Sequence, residues 1–226
     1  MKWLYLLLDL ATLMCPVVLS FEKKVNYFKS WKSALLASII IAIPFLIWDA
    51  IFTANGFWGF NHEYISGIYI LNLPIEEILF FIVVPFACTF IYEVVKYFFR
   101  SYSMNVFNKM FKILLPAYAL YLLTLGNFGY YTLSVEISYA LVLIWMLLTP
   151  KLRFIGLAFV ISLIPFFIMN GILTGCCTEN PVVWYAEGQK VAPRLFTIPM
   201  EDILYSFTLV TANMLLFEIF QKRLSK

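Results

Sequence analysis

Two short acidic motifs contain the residues of this sequence whose types and spacing are best suited to chemistry. They read Pro74-Ile75-Glu76-Glu77 and Pro199-Met200-Glu201-Asp202. Each begins a long apolar segment, where an ionisable side chain costs about 2.5–3.5 kcal/mol if it reaches mid-membrane. Proline suits the first turn of a helix, and the helix dipole favours ionised acids there, whereas burial and repulsion between carboxylates favour a bound proton. The four acids are therefore predicted to form a catalytic acid–base set, with helix capping as the alternative.

The two motifs belong to an internal repeat. The matched positions are Glu76 with Glu201, Glu93 with Glu218 and 78–80 with 203–205 at an offset of 125, 43–45 with 164–166 at 121, and Tyr5 and Pro16 with Tyr139 and Pro150 at 134. The first three apolar segments therefore resemble the last three. Because a single segment separates them, the second half is expected to return in the same orientation, with both acid motifs on one side of the membrane.

Composition places these motifs in a membrane protein. Hydrophobic residues make up 63% of the 226 residues and charged residues only 13%, against roughly 25% charged in soluble domains. The apolar stretches that approach the roughly 20 residues needed to cross a bilayer are 3–21, 32–53, 74–97, 112–126, 131–149, 154–174 and 199–220. A backbone in lipid must bond internally, so these stretches are predicted to be helices. The expected fold is an all-α, polytopic membrane helix bundle of about seven transmembrane helices, with two parallel three-helix repeats (1–98 and 131–226) joined by a connector (99–130).

Loop charge predicts the orientation of the bundle. If the helices alternate in direction, 13 of the 16 Lys and Arg residues fall on one side, and Lys2, Lys190 and Arg194 fall on the other. The positive-inside rule then places the N-terminus outside the cell membrane and the C-terminus in the cytoplasm. The net charge of +3 gives no indication of a nucleic-acid partner.

Further polar and aromatic residues are candidates for a pocket around the acids. Asp49 lies deep in the second helix and has Asn170 as its counterpart, which indicates either a polar pocket or an interhelical hydrogen bond. Arg194 is a candidate counter-ion for the acids, or a contact to lipid headgroups. Aromatic rings can stabilise cations, although membrane interfaces also use them. The candidate pocket residues are Trp48, Asp49, Asn61, Tyr64, Phe80, Phe81, Asn170, Trp184, Arg194 and Tyr205.

Motifs for cofactors and metals are missing from the sequence. None of its nine glycines forms G-x-G-x-x-G, the fingerprint of dinucleotide sites. The four cysteines and the single His62 lack the spacing of a zinc site. The three Asp residues form no pair that could hold magnesium diphosphate, and the last helix has no interior lysine for a retinal Schiff base. No cofactor and no metal are therefore expected, and proton transfer remains as the chemistry of the acids.

A wider set of residues around the motifs resembles one known family. In the first half they are Trp58-Gly59-Phe60-Asn61, Tyr64-Ile65-Ser66-Gly67 and Leu73-Pro74-Ile75-Glu76-Glu77-Ile78-Leu79-Phe80-Phe81. In the second half they are Asn180-Pro181, Trp184, Phe196-Thr197-Ile198-Pro199-Met200-Glu201-Asp202-Ile203 and Leu216-Phe217-Glu218. Both sets are similar to the lycopene cyclase domain of heterodimeric bacterial and fused fungal or archaeal enzymes. The second half departs from this pattern at 186–191 and at Cys176-Cys177.

The resemblance implies a membrane-bound lycopene cyclase of carotenoid biosynthesis, with the motif acids as its catalytic groups. Such enzymes close the ψ-ends of lycopene into ionone rings, here expected to be β-rings, without a cofactor and without net redox change. An acid protonates C2, the C5–C6 double bond attacks the resulting cation at C1, and a base removes a proton. The implied partners are lycopene, the lipid bilayer and other enzymes of the same pathway.

Three alternatives remain open from the sequence. A cyclase that acts on another carotenoid or forms another ring type would carry the same motifs. A proton-coupled transporter also combines internal repeats with carboxylates inside the membrane. A non-catalytic membrane scaffold for a carotenoid pathway would tolerate neutralisation of all four acids.

Overall fold

The fold is an all-α bundle, as the sequence predicts. The computed structural model describes residues 1–126, 128–149 and 153–224. The helices in these ranges are α1 (Leu4–Leu19), α2 (Trp31–Ala54), α3 (Ile75–Phe98), α4 (Asn105–Thr124), α5 (Tyr130–Leu148), α6 (Ile155–Leu173) and α7 (Glu201–Leu224). The short strands are β1 (Trp58–Phe60), β2 (Tyr69–Ile70), β3 (Leu73–Pro74), β4 (Val183–Tyr185), β5 (Arg194–Leu195) and β6 (Ile198–Pro199). Outside the described residues lie positions 127, 150–152 and 225–226, which belong to the predicted connector and second repeat. They include Pro150, the predicted counterpart of Pro16.

Six of the described helices, α2 to α7, are long and apolar enough to cross a membrane. The first predicted span, 3–21, instead forms the 16-residue helix α1. At 1.5 Å per residue this helix is about 24 Å long, which is shorter than the roughly 30 Å hydrocarbon core of a bilayer. The apolar helices identify a membrane protein. Helix α1 is apolar as well, but it is shorter than its predicted span of 3–21.

Two matching hairpins precede α3 and α7 and carry the prolines of the acid motifs. Strand β2 pairs antiparallel with β3, and β5 pairs in the same way with β6. At the two turns, Leu71 and Phe196 adopt φ angles of 57° and 58°, a left-handed conformation that is uncommon for residues other than glycine. The sequence did not predict these hairpins, because strands of two residues are too short to show an alternating pattern.

A third strand pair joins the two halves of the chain. Strands β1 and β4 run antiparallel, with Gly59 opposite Trp184 at the centre of the pair. The ring of Trp184 lies so close to Gly59 that a Cβ at this position would overlap it. The pair therefore brings the segments that precede the two hairpins together at one end of the bundle.

Helices α3 and α7 form the centre of the bundle. Helix α7 packs against α2, α3, α5 and α6, and α3 packs against α1, α2, α6 and α7. Each half thus places its second helix against the central helix of the other half. Helix α4 lies at the periphery against α6, although the hydroxyl of Tyr118 donates to the carbonyl of Met200 at 2.8 Å.

A charged cluster joins α3 to α7 at the end opposite the acid motifs. Lys96 Nζ lies 2.8 Å from Glu93 Oε1 and 2.7 Å from Glu218 Oε1, and Tyr92 donates to Glu218 at 2.9 Å. The carboxylates of Glu93 and Glu218 are thus satisfied by a structural ion pair, far along the helices from the motifs.

Gly129 is expected to be intolerant of a side chain. It lies immediately before α5, and a Cβ there would overlap the backbone of Gln189, whose side chain accepts a hydrogen bond from the Tyr130 N–H at 3.0 Å. Because backbone would have to move, we expect Gly129→Ala to lower stability by about 1–3 kcal/mol, as other overpacking substitutions do. Thermal unfolding in detergent would measure this. Gly188→Ala, where an added Cβ has nothing within 4 Å, is the control, and equal stability of both variants would contradict the prediction.

Candidate active site

One cavity, here called the acid cavity, lies among the ends of α1, α2, α3, α5, α6 and α7 that face the hairpins, and has a volume of about 70 Å³. Its polar lining includes the carboxyl groups of Asp49, Glu77 and Asp202 and the amide of Asn170. Its aromatic lining consists of Tyr5, Trp58, Phe60, Phe80, Tyr131, Phe166, Tyr185 and Tyr205. One acid from each motif therefore faces the same cavity.

Glu77 lies in the first turn of α3 and is held by a tyrosine of α1. The hydroxyl of Tyr5 donates to Glu77 Oε2 at 2.6 Å, and both side chains are buried. No other described residue donates a hydrogen bond to this carboxyl group. Glu77 is thus held in position through its Oε2 atom.

Asp202 occupies the equivalent position of α7 and receives three hydrogen bonds. Tyr131 of α5 donates to Oδ1 at 2.5 Å, Asn170 of α6 donates to Oδ2 at 2.8 Å, and Tyr185 of β4 donates to Oδ2 at 3.1 Å. Burial raises the pKa of Tyr185, in the loop, well above its ordinary value, and the nearby charge of Asp202 raises it further. Tyr185 therefore keeps its proton and remains a donor.

The two tyrosines reveal the register of the repeat in α1 and α5. Tyr5 donates a hydrogen bond to Glu77, and Tyr131 donates an equivalent one to Asp202. The two tyrosines are therefore matched at an offset of 126. The predicted match of Tyr5 with Tyr139, at an offset of 134, is wrong, since Tyr139 packs against Phe207 with ring centroids 5.5 Å apart. A uniformly apolar helix offers several similar registers, and only the contact with the neighbouring helix distinguishes them.

The predicted pair Asp49 and Asn170 lines the cavity, but the two residues do not bond each other. Asp49 Oδ1 accepts hydrogen bonds from the Trp58 indole N–H and from Thr53 Oγ1, and its Oδ2 has no partner. Asn170 donates instead to Asp202. The two halves are thus chemically distinct at this position. The first half adds the carboxyl group of Asp49 to the cavity, and the second half adds the hydrogen-bond donor of the Asn170 amide.

Glu76 and Glu201, the first acids of the motifs, face away from the cavity. Glu76 Oε1 accepts from the Ser66 N–H at 2.7 Å, and Glu201 Oε1 accepts from the Val191 N–H at 2.6 Å and from Thr132 Oγ1 at 2.7 Å. Neither glutamate is accessible to solvent. Successive residues on a helix point about 100° apart, so each motif directs its first acid to the preceding loop and its second to the cavity.

The aromatic lining forms a connected wall around the three carboxyl groups. The ring of Tyr131 lies 5.3 Å from Trp58 and 5.5 Å from Tyr185, and Trp48 supports Tyr205 from behind at 5.0 Å. Such faces attract positive charge through their quadrupoles. The arrangement can therefore donate a proton, stabilise a carbocation and remove a proton within one largely apolar space.

Both halves of the chain match a known protein family. The family model described as lycopene cyclase matches residues 2–95 and again 127–220. The chain belongs to the lycopene cyclase family. The double match covers both halves of the chain with equivalent segments, and it identifies a carotenoid cyclase in general terms. The comparisons with curated proteins and with solved structures gave no match.

Several predicted pocket residues of this cyclase lie outside the cavity lining. Phe81 and Trp48 pack behind it, with Phe81 5.8 Å from the ring of Phe45. The loop residues are Asn61, whose side chain accepts from the Glu63 N–H, Tyr64, which is buried against α1, and Trp184, which covers Gly59.

Arg194 does not act as the predicted counter-ion of the motif acids. Its guanidinium donates to the carbonyl of Thr197 at 2.7 Å and lies 3.4 Å from Glu187. The side chain follows the β5–β6 hairpin towards the surface, because the loop 186–191 supplies its carboxylate partner. Lys190 lies 2.8 Å from Glu187 as well, and its hydrogen bond lowers the pKa of Glu187.

Tyr5 and Tyr131 were not predicted as site residues. Both lie in helices that appear in the sequence only as apolar segments, at a distance of about 70 positions from the acids they bind. The motif acids are 125 positions apart, and Tyr5 and Tyr131 are 126 positions apart. A search of the first helix at offsets close to 125 would therefore have identified the two tyrosines as a matched pair.

Proposed function

We propose that this cyclase converts the ψ-ends of lycopene into β-ionone rings in the acid cavity, with Glu77 as the proton donor and Asp202 as the base. The observation that carries the proposal is that one acid from each motif faces a single cavity walled by aromatic rings. The family match supports lycopene as the substrate class.

The proposed reaction transfers one proton in and one proton out. Glu77 protonates C2 of the ψ-end, and the C1–C2 double bond supplies the electron pair, which leaves a tertiary cation at C1. The C5–C6 double bond attacks C1, so that the C1–C6 bond forms and the cation moves to C5. Asp202 removes the proton at C6, and the C–H electrons restore the C5–C6 double bond. The product is an isomer of the substrate, and a proton returns from Asp202 to Glu77 between turnovers.

The hydrogen bonds favour this division of roles. An ionised carboxylate only accepts hydrogen bonds, and Asp202 accepts three of them. Glu77 accepts one, from Tyr5, and it lines the cavity together with several apolar and aromatic side chains. A carboxyl group in such surroundings is suited to carry a proton until a substrate arrives. Burial also excludes water, which would otherwise capture the carbocation.

Glu76 and Glu201 act as positioning residues in this proposal. Each bonds a backbone N–H ten positions upstream, and so fastens the loop that closes the cavity above α3 or α7. Asp49 is a further carboxyl group of the cavity, and we propose that its negative charge stabilises the cation beside Trp58.

The proposed orientation has the N-terminus outside the cell and the C-terminus in the cytoplasm, with repeats at 1–98 and 131–226 and a connector at 99–130. The distribution of 13 against 3 basic residues supports it. A fluorescent protein fused to the C-terminus should fold and fluoresce, whereas alkaline phosphatase at the same place should be inactive; the reverse pattern would overturn the orientation.

The function is tested by expressing the chain in cells that accumulate lycopene and separating the pigments by chromatography. We expect β-ring products to replace lycopene. Unchanged lycopene beside normal amounts of protein in the membrane would refute the proposal, and proton flux in liposomes would then indicate a transporter. Rings formed by proton loss from C4, or conversion of another carotenoid only, would retain the enzyme class and correct the product or the substrate.

A further inference from the structure

An apolar groove adjoins the acid cavity between α1, α3 and α6. Its volume is about 370 Å³, which makes it the larger of the two spaces. Among its lining residues, those that do not also line the acid cavity include Leu8, Ala11 and Cys15 of α1, Ala87 and Ile91 of α3, and Ile168 of α6.

The groove and the acid cavity share part of their walls. Phe80 and Val84 of α3, Phe166 and Asn170 of α6, and Ser206 and Val210 of α7 line both. A ligand in the groove can therefore extend between these side chains towards Glu77 and Asp202.

The walls of the groove suit a hydrocarbon. The hydroxyl of Thr12 donates to the sulfur of Met169 at 3.4 Å, and the hydroxyl of Ser162 donates to the carbonyl of Phe159 at 2.7 Å. These polar groups are satisfied by the protein, so they need nothing from a ligand. The amide of Asn170, in the shared wall, donates to Asp202. Apart from the hydroxyl of Ser206 and the thiols of Cys15 and Cys88, the remaining lining offers methyl, methylene and ring surfaces.

The groove opens sideways towards the lipid. Ala11 and Cys15 are exposed on α1, and Ile168 of α6 is 64% exposed. A lipophilic molecule could thus pass from the bilayer between α1 and α6 without crossing water or the loops above the cavity.

We infer, on the basis of the proposed function, that this groove binds the polyene chain of the carotenoid while the end group is in the acid cavity, and that the substrate arrives laterally between α1 and α6. Lycopene is long and apolar, and the 70 Å³ cavity holds no more than a small part of it. The groove is continuous with the cavity, apolar and open to the phase in which the substrate dissolves.

The other half of the molecule fills the equivalent space with aromatic side chains. At the positions of Met169 and Phe80, the repeat carries Trp48 and Tyr205, and their rings lie 5.0 Å apart. The polyene is therefore held from the α1–α6 side, with one end group at the acids.

The inference is tested by measuring how much lycopene stays bound to the protein, which does not depend on turnover. Glu77→Gln, alone or with a second substitution, is purified in lipid nanodiscs from lycopene-accumulating cells, and bound pigment is measured by absorbance per mole of protein. Ala11→Trp blocks the groove, and Met169→Trp introduces the residue of the other repeat. Because the bulky indole would displace several buried methylene groups of the polyene, we expect each variant to reduce bound lycopene at least about tenfold.

Leu10→Trp is the matched control. Leu10 is the neighbour of Ala11, is 53% exposed and does not line the groove; we expect its substitution to leave bound lycopene unchanged. Equal retention in Ala11→Trp and Leu10→Trp, as expected if a phospholipid chain occupies the groove, would overturn the inference. So would a Glu77→Gln protein that retains no more pigment than an unrelated membrane protein. If Glu77→Gln still forms rings, the assignment of Glu77 as proton donor fails. The groove is still tested in that case, because the total bound carotenoid can be compared between Ala11→Trp and Leu10→Trp.

Discussion

Glu77→Gln is expected to abolish ring formation almost completely, with lycopene left as the main pigment. The substitution keeps the size of the side chain and can retain the contact with Tyr5, which donates to Glu77 Oε2 at 2.6 Å, but an amide cannot deliver a proton to C2. General acid catalysis typically contributes about 10²- to 10⁴-fold to a rate, and in the proposed reaction Glu77 is the group that protonates C2. Pigment chromatography would measure the ratio of cyclised product to lycopene, with the protein in the membrane quantified by immunoblot.

Glu93→Gln is the control for this variant. Glu93 lies on the same helix but belongs to the Lys96 cluster at the opposite end, so its substitution is expected to leave ring formation near the wild-type rate. Wild-type conversion by Glu77→Gln would show that the proton comes from another group, and Asp49 would then be the first candidate, since it lines the same cavity.

Asp202→Asn is expected to have the second largest effect. The asparagine would replace a carboxylate that receives bonds from Tyr131, Asn170 and Tyr185, and its amide group would oppose the donor amide of Asn170. Both the base and its alignment would be lost, so we expect ring formation to fall by about 10²- to 10⁴-fold. Chromatography of the pigments would show this, together with any product of proton loss at a position other than C6.

The graded variant Tyr131→Phe separates alignment from proton transfer. It removes one hydrogen bond to a charged acceptor, worth about 1.5–3 kcal/mol, so we expect a loss of roughly ten- to a hundredfold and an unchanged ring type. Glu218→Gln, at the other end of α7, is the control for protein amount and folding. A Tyr131→Phe variant as impaired as Asp202→Asn would indicate that the tyrosine itself takes part in the reaction.

Much of the architecture follows from local sequence properties. Runs of apolar residues require helices, because a backbone in lipid must satisfy its own hydrogen bonds, and the observed ends of α2, α3 and α5 lie within one residue of the predicted spans. Helix α4 begins at Asn105, seven residues before the predicted start, since its first turns are polar enough to escape a hydropathy pattern. The motifs and their repeat were likewise readable from sequence, and so was the family.

The composition of the site was only partly readable. The sequence identified Glu77 and Asp202 together with their neighbours Glu76 and Glu201, and it matched Asp49 with Asn170. It could not rank the acids within each motif. It offered Arg194 as a counter-ion of the acids or a contact to lipid headgroups, whereas the carboxylate near Arg194 is that of Glu187. Charge and aromatic content indicate what a residue can bind, but not which of several neighbours it meets.

The sequence by itself thus determined the membrane character of the chain, its helices and its repeat, because hydropathy and short motifs act over a few residues. It also predicted the chemical type of the site. Only the tertiary structure decided that Glu77 and Asp202 share one cavity while Glu76 and Glu201 hold the loops. The reason is geometrical: adjacent acids on a helix point in different directions, and the packing of α1 and α5 determines which direction meets Tyr5 or Tyr131. The same packing leaves a groove beside α1 and fills its counterpart beside Trp48, a difference between the halves that no local pattern carries.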